Sequence, residues 1–282
     1  MILNKAIEQF RKYTTVTKSK GTQDYYVYLF KMLSEHMGKL ECDDISDDDI
    51  LNYIIKLKEI TPTISNATIN KHITALKTIV KYATGRVIKF SKLKERKKTI
   101  PTISKETINK IFNYLQKNMK NRFMFRNYVF LKLLLDTGLR MNEMIHLRKR
   151  DIDFDTSSIH VKVTKTDIDR YVCFTESTKK LLMKFIVTHK IEDYLFFDFN
   201  TGNKLTTSSI ECYIYRIKKR LDIQENITPH KWRHTFATTF IRNGGDLETL
   251  RLLLGHTNLK TTQKYLHLNK NDIVENYKQI MT

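Results

Sequence analysis

Four residues near the carboxyl end of the chain are of types that bind or attack phosphate: His230, Arg233, His256 and Tyr265. His230 and Arg233 are three positions apart, so on a helix they share one face and can reach a common anion. A tyrosine attacks phosphate poorly at neutral pH, because with a pKa of about 10 only about one molecule in a thousand is ionised. Arginines neutralise phosphate oxygens and the charge that develops during attack. The set therefore indicates phosphate chemistry.

The residues around this set predict the helices that position it. Thr228 can cap a helix whose first residue is Pro229, and this helix would carry the first histidine and the arginine of the set. Gly244-Gly245 ends it. The next helix ends at Gly255, which leaves His256 in a turn, and the tyrosine follows in a polar segment.

A further arginine stands at a helix start upstream. Gly138 ends one predicted helix, and Arg140 begins the next, so its side chain can point into a cleft. Glu143 is three residues on and could orient it. Taken alone, this spacing is more often an ordinary ion pair on a helix surface.

Between Asp151 and Phe174 the spacing of apolar residues changes from the helical 3.6 residues to two residues, which predicts short antiparallel strands. The apolar positions are Ile152, Phe154, Ile159, Val161, Val163, Tyr171 and Cys173. Lys165 begins the turn between the last two strands, where its amine can reach out of the sheet. Lys162 precedes the turn, on the parity that points away from the apolar face. A lone lysine in a hairpin is usually just exposed to solvent.

The overall charge favours a polyanionic partner. The 282 residues carry a formal charge of +20, with 19 basic and 11 acidic residues in 1–100 and 31 and 19 in the rest. Both halves are therefore basic, as in a protein that holds nucleic acid from two sides. A lysine-rich surface without a ligand would have the same composition.

The cysteines and the hydropathy predict a cytoplasmic protein. Cys42, Cys173 and Cys212 form no CxxC pair, which argues against a disulfide framework or a cysteine zinc site. No signal peptide or run of about 18 apolar residues is present, so no membrane association is expected. His230 and His234 are four apart, but HKWRH lacks the glutamate of HExxH. No metal is predicted, and His234 is interpreted as a buried structural residue.

The first 92 residues predict four amphipathic helices, Leu3–Tyr13, Thr22–Met37, Ser46–Lys58 and Ser65–Thr84. Their polar face is expected to contain the following lysines and aromatics: Lys18, Lys20, Tyr25, Tyr26, Lys71, His72, Lys77 and Lys81. A basic linker follows at 93–101. The second domain, 102–282, is predicted to contain helices Ser104–Lys117, Phe123–Asp136, Glu176–Lys190 and Ser208–Leu221, and an amphipathic tail helix at 270–282.

The strings DTGLRMNEMIHLRKRDID, HKWRHTFAT and LLGHTNLKTTQKY resemble the tyrosine recombinase (phage integrase) family, close to its compact Xer-like members. The resemblance covers the chain from about Thr102 to its end. It implies a mainly α fold with a small antiparallel β-sheet in the C-terminal domain. The two domains would clamp DNA: a helical core-binding (SAM-like) domain at 1–92 and a catalytic domain at 102–282.

The same resemblance implies roles for these residues in site-specific DNA recombination. Tyr265 would attack the scissile phosphate and form a 3′-phosphotyrosyl link. Arg140 and Arg233 would clamp the phosphate, and Lys165 would protonate the leaving 5′ oxygen. His230 would act as base and later as acid. His256 and Glu143 would support the site, and no cofactor or ATP would be needed because the link conserves the bond energy.

The resemblance also implies partners and leaves alternatives. Double-stranded DNA with paired core sites would be bound by a tetramer in synapsis, with the tail helix exchanged between protomers. Integration, excision and dimer resolution stay open, as does a second recombinase or an accessory DNA-bending protein. A type IB topoisomerase-like activity, or a non-catalytic DNA-binding protein of this fold, is the alternative. Tyr171 and Tyr277 are other tyrosines, but neither stands in the TTQKYLH context.

Overall fold

The structure, a computed structural model, describes residues 1–18, 20–95, 101–162 and 169–266. Over these residues the chain is mainly helical with one small antiparallel sheet, which confirms the predicted fold class. Contacts between Cα atoms divide the chain into two units, Met1–Lys98 and Thr99–Thr282. Among the described helices none is long and apolar enough to cross a membrane. The predicted domain boundaries stay a prediction, since the linker lies partly outside the described residues.

The first unit contains the four expected helices: α1 (Leu3–Thr17), α2 (Lys20–Met37), α3 (Asp47–Ile60) and α4 (Asn66–Thr84). Ser46 caps α3 and forms a reciprocal capping box with Asp49, and Ser65 caps α4. The apolar faces of these helices pack into one core that includes Leu33 and Leu76. The predicted helices are therefore confirmed, with ends that differ by up to four residues.

One predicted residue of the polar face is wrong. His72 is fully buried, and its Nδ1 lies 2.8 Å from the hydroxyl of Tyr53. Burial lowers the pKa of this imidazole from about 6.5 to about 4, so it is neutral at pH 7. His72 stands next to Ile73 and three residues after Ile69, so the helical period of 3.6 residues is compatible with either face of α4.

We expect this histidine to make the first unit less stable in acid. The unfolded chain binds the proton of His72 more tightly than the folded chain does, so stability is complete above pH 6.5 and is lost as the pH falls towards 4. From pH 8 to pH 5 the loss is about 2 kcal/mol. Urea unfolding followed by circular dichroism at both pH values should show a smaller pH effect in His72→Leu. The exposed His36→Leu serves as control, and an unchanged pH effect in His72→Leu would contradict the assignment.

The second unit begins with α5 (Lys105–Lys117), α6 (Arg122–Thr137) and the short α7 (Met141–His146). After the sheet come α8 (Glu176–Thr188), α9 (Thr207–Arg220), α10 (Pro229–Arg242), α11 (Leu247–Leu254) and α12 (Lys260–Gln263), with a 3₁₀ turn at Lys264–Leu266. A large core, which includes Phe130, Phe185 and Trp232, joins most of them. The predicted helices of this half are confirmed, while the tail at 270–282 lies outside the described residues.

The three strands are β1 (Ile152–Asp153), β2 (Ser158–Val161) and β3 (Arg170–Cys173), antiparallel and in sequence order. Ile159 pairs with Val172, and Val161 pairs with Arg170. The inner side of β2 is as predicted, but that of β3 is wrong: Arg170 and Val172 are buried, while Tyr171 is 63% exposed. The strand thus turns a charged residue, not a tyrosine, towards the core.

Helix α10 packs against α6 at a glycine. Gly138 ends α6 with φ +61°, and a Cβ there would lie 2.2 Å from Cδ1 of Phe236. Glycine therefore serves both the left-handed turn and the close approach of the aromatic ring. This contact brings the start of α7 next to α10.

Candidate active site

A glutamate joins two arginines beside the sheet. Glu143, on α7, accepts two hydrogen bonds from Arg170, from Nη1 to Oε1 at 2.9 Å and from Nη2 to Oε2 at 2.8 Å. Arg140 donates its backbone N–H to Oε2 at 2.6 Å and Nη1 to Oε1 at 3.1 Å. Burial opposes the charge of Glu143, but hydrogen bonds and charge from the arginines outweigh burial and lower the pKa of its carboxyl. The carboxylate is therefore charged and orients both guanidinium groups.

The same two arginines hold the turn after α11. Arg170 donates Nε to the carbonyl of Leu253 at 2.8 Å, and Arg140 donates Nη2 to the carbonyl of Gly255 at 3.1 Å. Gly255 has φ +63°, and a Cβ there would lie 2.9 Å from Nη1 of Arg170. The turn can therefore approach the arginines this closely only with glycine at its corner.

Arg233 connects three elements from a buried position. It is 6% exposed, and it donates Nη1 to the carbonyl of Gly138 at 2.6 Å and Nη2 to that of Leu254 at 2.6 Å. Burial and the nearby charge of Arg140 lower the pKa of this guanidinium to about 10, so it stays a cation at pH 7. The ends of α6 and α11 are thus held around one positive charge.

His256 follows that turn and is held on both ring nitrogens. Its Nε2 lies 3.3 Å from Nη2 of Arg233, and its Nδ1 lies 2.8 Å from Oγ1 of the buried Thr262. Arginine can only donate, so Nε2 accepts, and Nδ1–H donates to the threonine. Burial and the charge of Arg233 lower the pKa of His256 to about 4. The ring is therefore neutral at pH 7 with its tautomer set by its neighbours.

Tyr265 is 5% exposed and packs with Ala237, Ile241, Leu250 and Leu254. Its hydroxyl lies 2.8 Å from Nδ1 of a neighbouring histidine on α10, His234. Burial raises the pKa of the phenol to about 12, although the charge of Arg233 acts in the opposite direction. The hydroxyl is therefore protonated at neutral pH in this structure.

His230 lies at the start of α10 with an exposed side chain. Together with Arg140 it lines a cavity of about 760 Å³ between α7, α9 and α10. Glu211, Tyr215 and Lys218 of α9 line the same cavity, so a phosphate group there would meet the cationic side chains of Arg140 and Lys218.

The structure thus brings five of the predicted site residues to the end of α11 and the start of α7: Arg140, Glu143, Arg233, His256 and Tyr265. His230 lies in the adjoining cavity, and Lys165 lies outside the described residues. Their catalytic roles stay a prediction.

Three residues that contact the site were not assigned to it from the sequence: Arg170, His234 and Thr262. Arg170 was missed because the strand register was wrong, and Thr262 looked like one more polar residue in its segment. His234 was interpreted as structural, but it contacts the tyrosine hydroxyl. The sequence did hold a signal for His234: it directly follows Arg233 on the same helix, so its side chain must lie near the site.

The described part of the site is rich in cationic side chains. Among the residues that the structure describes, no three His, Cys, Asp or Glu side chains cluster in a way that could hold a metal ion. Arg140 and Arg170 share the carboxylate of Glu143, Arg233 bonds to backbone carbonyls, and Nζ of the half-buried Lys264 lies 5.1 Å from the ring centre of Tyr265. The surplus of positive charge suits an anion such as phosphate.

Comparison with known proteins places these features in a family. Residues 101–272 match the family model described as the phage integrase family. The tyrosine recombinase XerA of Saccharolobus solfataricus is 35% identical over 189 residues, which are 67% of this chain and 60% of that protein. A probable integrase/recombinase of Acholeplasma phage L2 is 27% identical over 286 residues, covering 99% of this chain and 98% of the relative.

Solved structures share the fold. The Tn1549 transposon integrase in complex with transposon right end DNA has a TM-score of 0.82 at 19% identity, with 100% of both chains covered. The crystal structure of a XerA recombinase has a TM-score of 0.56 at 29% identity, with 99% of both chains covered.

Proposed function

This chain belongs to the phage integrase family and is a tyrosine-type site-specific DNA recombinase, and we propose that it breaks and rejoins DNA strands through a covalent link between Tyr265 and a 3′ phosphate. The observation that carries the proposal is the buried Arg233, which lies between His256 and the end of α11, against which the tyrosine packs. A phosphate that reached this guanidinium would stand next to the nucleophile.

The arginines would supply most of the stabilisation. With a pKa of about 12, ionising Tyr265 at pH 7 costs about 7 kcal/mol. A phosphate clamped by Arg140 and Arg233 gains further negative charge as the phenol oxygen attacks, so both guanidinium groups interact more strongly with the transition state than with the bound substrate. Glu143 keeps Arg140 in place for this purpose, and His256 would support the site through Arg233, whose Nη2 lies 3.3 Å from its Nε2.

Proton transfer completes the proposed reaction. The 5′ oxygen leaves poorly as an alkoxide, so an ammonium group such as that of Lys165 would donate a proton to it. His230, exposed in the cavity beside Arg140, would contact the phosphate and exchange protons with the reacting oxygens. Rejoining is the same reaction reversed, with a 5′ hydroxyl that attacks the phosphotyrosine.

We further propose that the protein acts on paired core sites in double-stranded DNA as a tetramer. The solved relatives include a XerH recombinase bound to a difH substrate and a lambda integrase dimer bound to a core site. Integration, excision and dimer resolution are all compatible with this proposal, as is the help of a second recombinase or an accessory DNA-bending protein. A cytoplasmic location belongs to the same proposal.

The test is direct capture of the intermediate. The protein is incubated with a supercoiled plasmid that carries the DNA flanking its gene, and then with nicked duplexes from any region that reacts. We expect a complex that survives denaturation, and mass spectrometry of its nucleotidyl peptide should place the nucleotide on Tyr265. Relaxation without strand exchange between two sites would favour a topoisomerase-like activity. Binding without any adduct would overturn the proposal in favour of a DNA-binding protein.

Thr262→Val should slow cleavage by about 10- to 100-fold, because the Nδ1–H of His256 loses the threonine oxygen as its acceptor at a cost of about 1–3 kcal/mol. The rate of adduct formation in a single turnover measures this effect. Thr261→Val, one position away and exposed, is the matched control. Equal rates in the two variants would show that the threonine does not orient the histidine.

A further inference from the structure

His234 is the polar group in hydrogen-bond contact with the nucleophile. Its Nδ1 lies 2.8 Å from the hydroxyl of Tyr265, and the two rings are 5.7 Å apart, centre to centre. His234 directly follows Arg233 on α10 and lies one helical turn beyond His230. The side chain is partly buried next to the tyrosine, whereas His230 is exposed to the cavity.

From this geometry we propose that His234 is a catalytic residue, the base that takes the proton of Tyr265 when the tyrosine attacks DNA. The inference rests on the proposed function and deepens it. It moves the first proton transfer from His230, which the sequence had favoured, to the histidine that contacts the reacting oxygen. His230 keeps its place beside Arg140, where it can contact the phosphate.

The step balances without any further reactant. The Tyr265 O–H bond breaks as the phenol oxygen forms a bond to phosphorus, and the proton goes to the lone pair of Nδ1 on His234. The bond from phosphorus to the 5′ oxygen breaks, and that oxygen takes a proton from the general acid, for which Lys165 is the proposed residue. On rejoining, His234 returns its proton to the tyrosine, which leaves as a neutral phenol.

The burial of His234 and the charges around it explain why the proton transfer from Tyr265 would require bound DNA. Burial lowers the pKa of His234 to about 4, and the nearby Lys264, His230 and Arg233 act in the same direction. The imidazole is therefore neutral at pH 7 and can accept a proton, but the imidazolium would stand among cations. A bound phosphodiester adds a negative charge beside these groups and makes the imidazolium less costly. Proton transfer is thereby coupled to the presence of the substrate.

The variant His234→Asn separates a base from a hydrogen-bond partner. An asparagine oxygen can take the place of Nδ1 and accept a bond from the tyrosine, but it cannot take up the proton. We expect the single-turnover rate of adduct formation to fall by at least about 100-fold, as for the loss of a general base. DNA affinity and thermal stability should stay close to those of the wild type. An asparagine variant that reacts as fast as the wild type would overturn the proposal.

Chemical rescue by imidazole should have no effect if His234 has only a structural role. In His234→Ala, added imidazole should restore part of the rate in proportion to the concentration of its free base, while His146→Ala, at an exposed histidine of α7, should react at the wild-type rate without imidazole. If His234→Ala cleaves faster than the wild type, the contact holds the tyrosine in a resting position and the proposal fails.

A modified substrate distinguishes the base from the acid. In a duplex with sulfur at the bridging 5′ position, the leaving group needs no proton, so the substrate should restore cleavage by Lys165→Ala but not by His234→Asn. Recovery of His234→Asn on this substrate would contradict the assignment. Failure of the wild-type protein to form any adduct would instead refute the proposed function itself.

Discussion

Tyr265→Phe is expected to bind DNA as the wild type does and to form no covalent adduct, a loss of at least about 10⁴-fold in cleavage. The oxygen that would bond to phosphorus is removed, and no other described group of the site is a nucleophile of comparable reach. The ring stays apolar and keeps its packing against Ala237, Ile241, Leu250 and Leu254. Folding should therefore change little, and the variant isolates chemistry from binding.

Gel retardation and denaturing gels on the same nicked duplex measure both quantities for this variant. Tyr171→Phe is the matched control, since Tyr171 is 63% exposed on β3 and stacks only on His160 among the recorded ring contacts. It should cleave at the wild-type rate. An adduct in Tyr265→Phe, or its loss in Tyr171→Phe, would mean that another residue is the nucleophile.

Arg170→Met is expected to lower the free energy of unfolding of the second unit by about 3–5 kcal/mol. The side chain is 6% exposed, and its guanidinium holds both oxygens of Glu143 and the carbonyl of Leu253. Methionine has a similar volume and leaves the carboxylate in place with one of its two cations gone. The cost is therefore mainly that of a buried charge that has lost its partner.

Recombination should fall further than stability alone requires, because Arg140 depends on the same carboxylate. Replacing both partners, Arg170→Met with Glu143→Leu, should recover part of the stability, since the buried carboxylate that lost Arg170 is removed as well. It should not recover cleavage, because Arg140 then loses the carboxylate of Glu143, which orients it. A double variant that is both stable and active would show that the pair serves folding only.

Trp232 is the single tryptophan of the chain and lies fully buried in the core of the second unit, so its fluorescence in urea reports on this unit. The ion pair between the exposed Glu248 and the partly buried Arg251 provides a control on the same unit. Glu248→Gln should cost less than about 1 kcal/mol. If Arg170→Met lowers the free energy of unfolding by no more than this, the buried pair of Arg170 and Glu143 does not stabilise the second unit.

The elements that carry the site could be predicted because their signals are local. Ser46 and Ser65 cap helices, Pro229 begins α10, and Gly138 and Gly255 end α6 and α11 with positive φ. Each of these depends on backbone groups within four residues, which is the range that a sequence pattern displays. The spacing of Arg233 after His230 and of Glu143 after Arg140 follows from the helices in the same way.

Two features could not be predicted in this way: which side of a short strand faces the core, and which residue a polar side chain contacts. In β3, the pattern favours the side of Tyr171 and Cys173 over that of Arg170 and Val172, and the outcome depends on Glu143, 27 positions before Arg170. Burying a guanidinium costs free energy unless a carboxylate pairs with it. The carboxylate reaches Arg170 only through the packing of α7 against the sheet and the turn after α11.

The sequence by itself therefore determined the helices, the sheet and the residue types of the site, since helix ends and amphipathic periods are short-range properties. Only the tertiary structure decided which polar groups meet. His234 lies 31 positions before Tyr265, and His72 joins Tyr53 inside the first unit across 19 positions. Such pairs form because a buried polar group must find a partner, and chain topology selects which one is within reach.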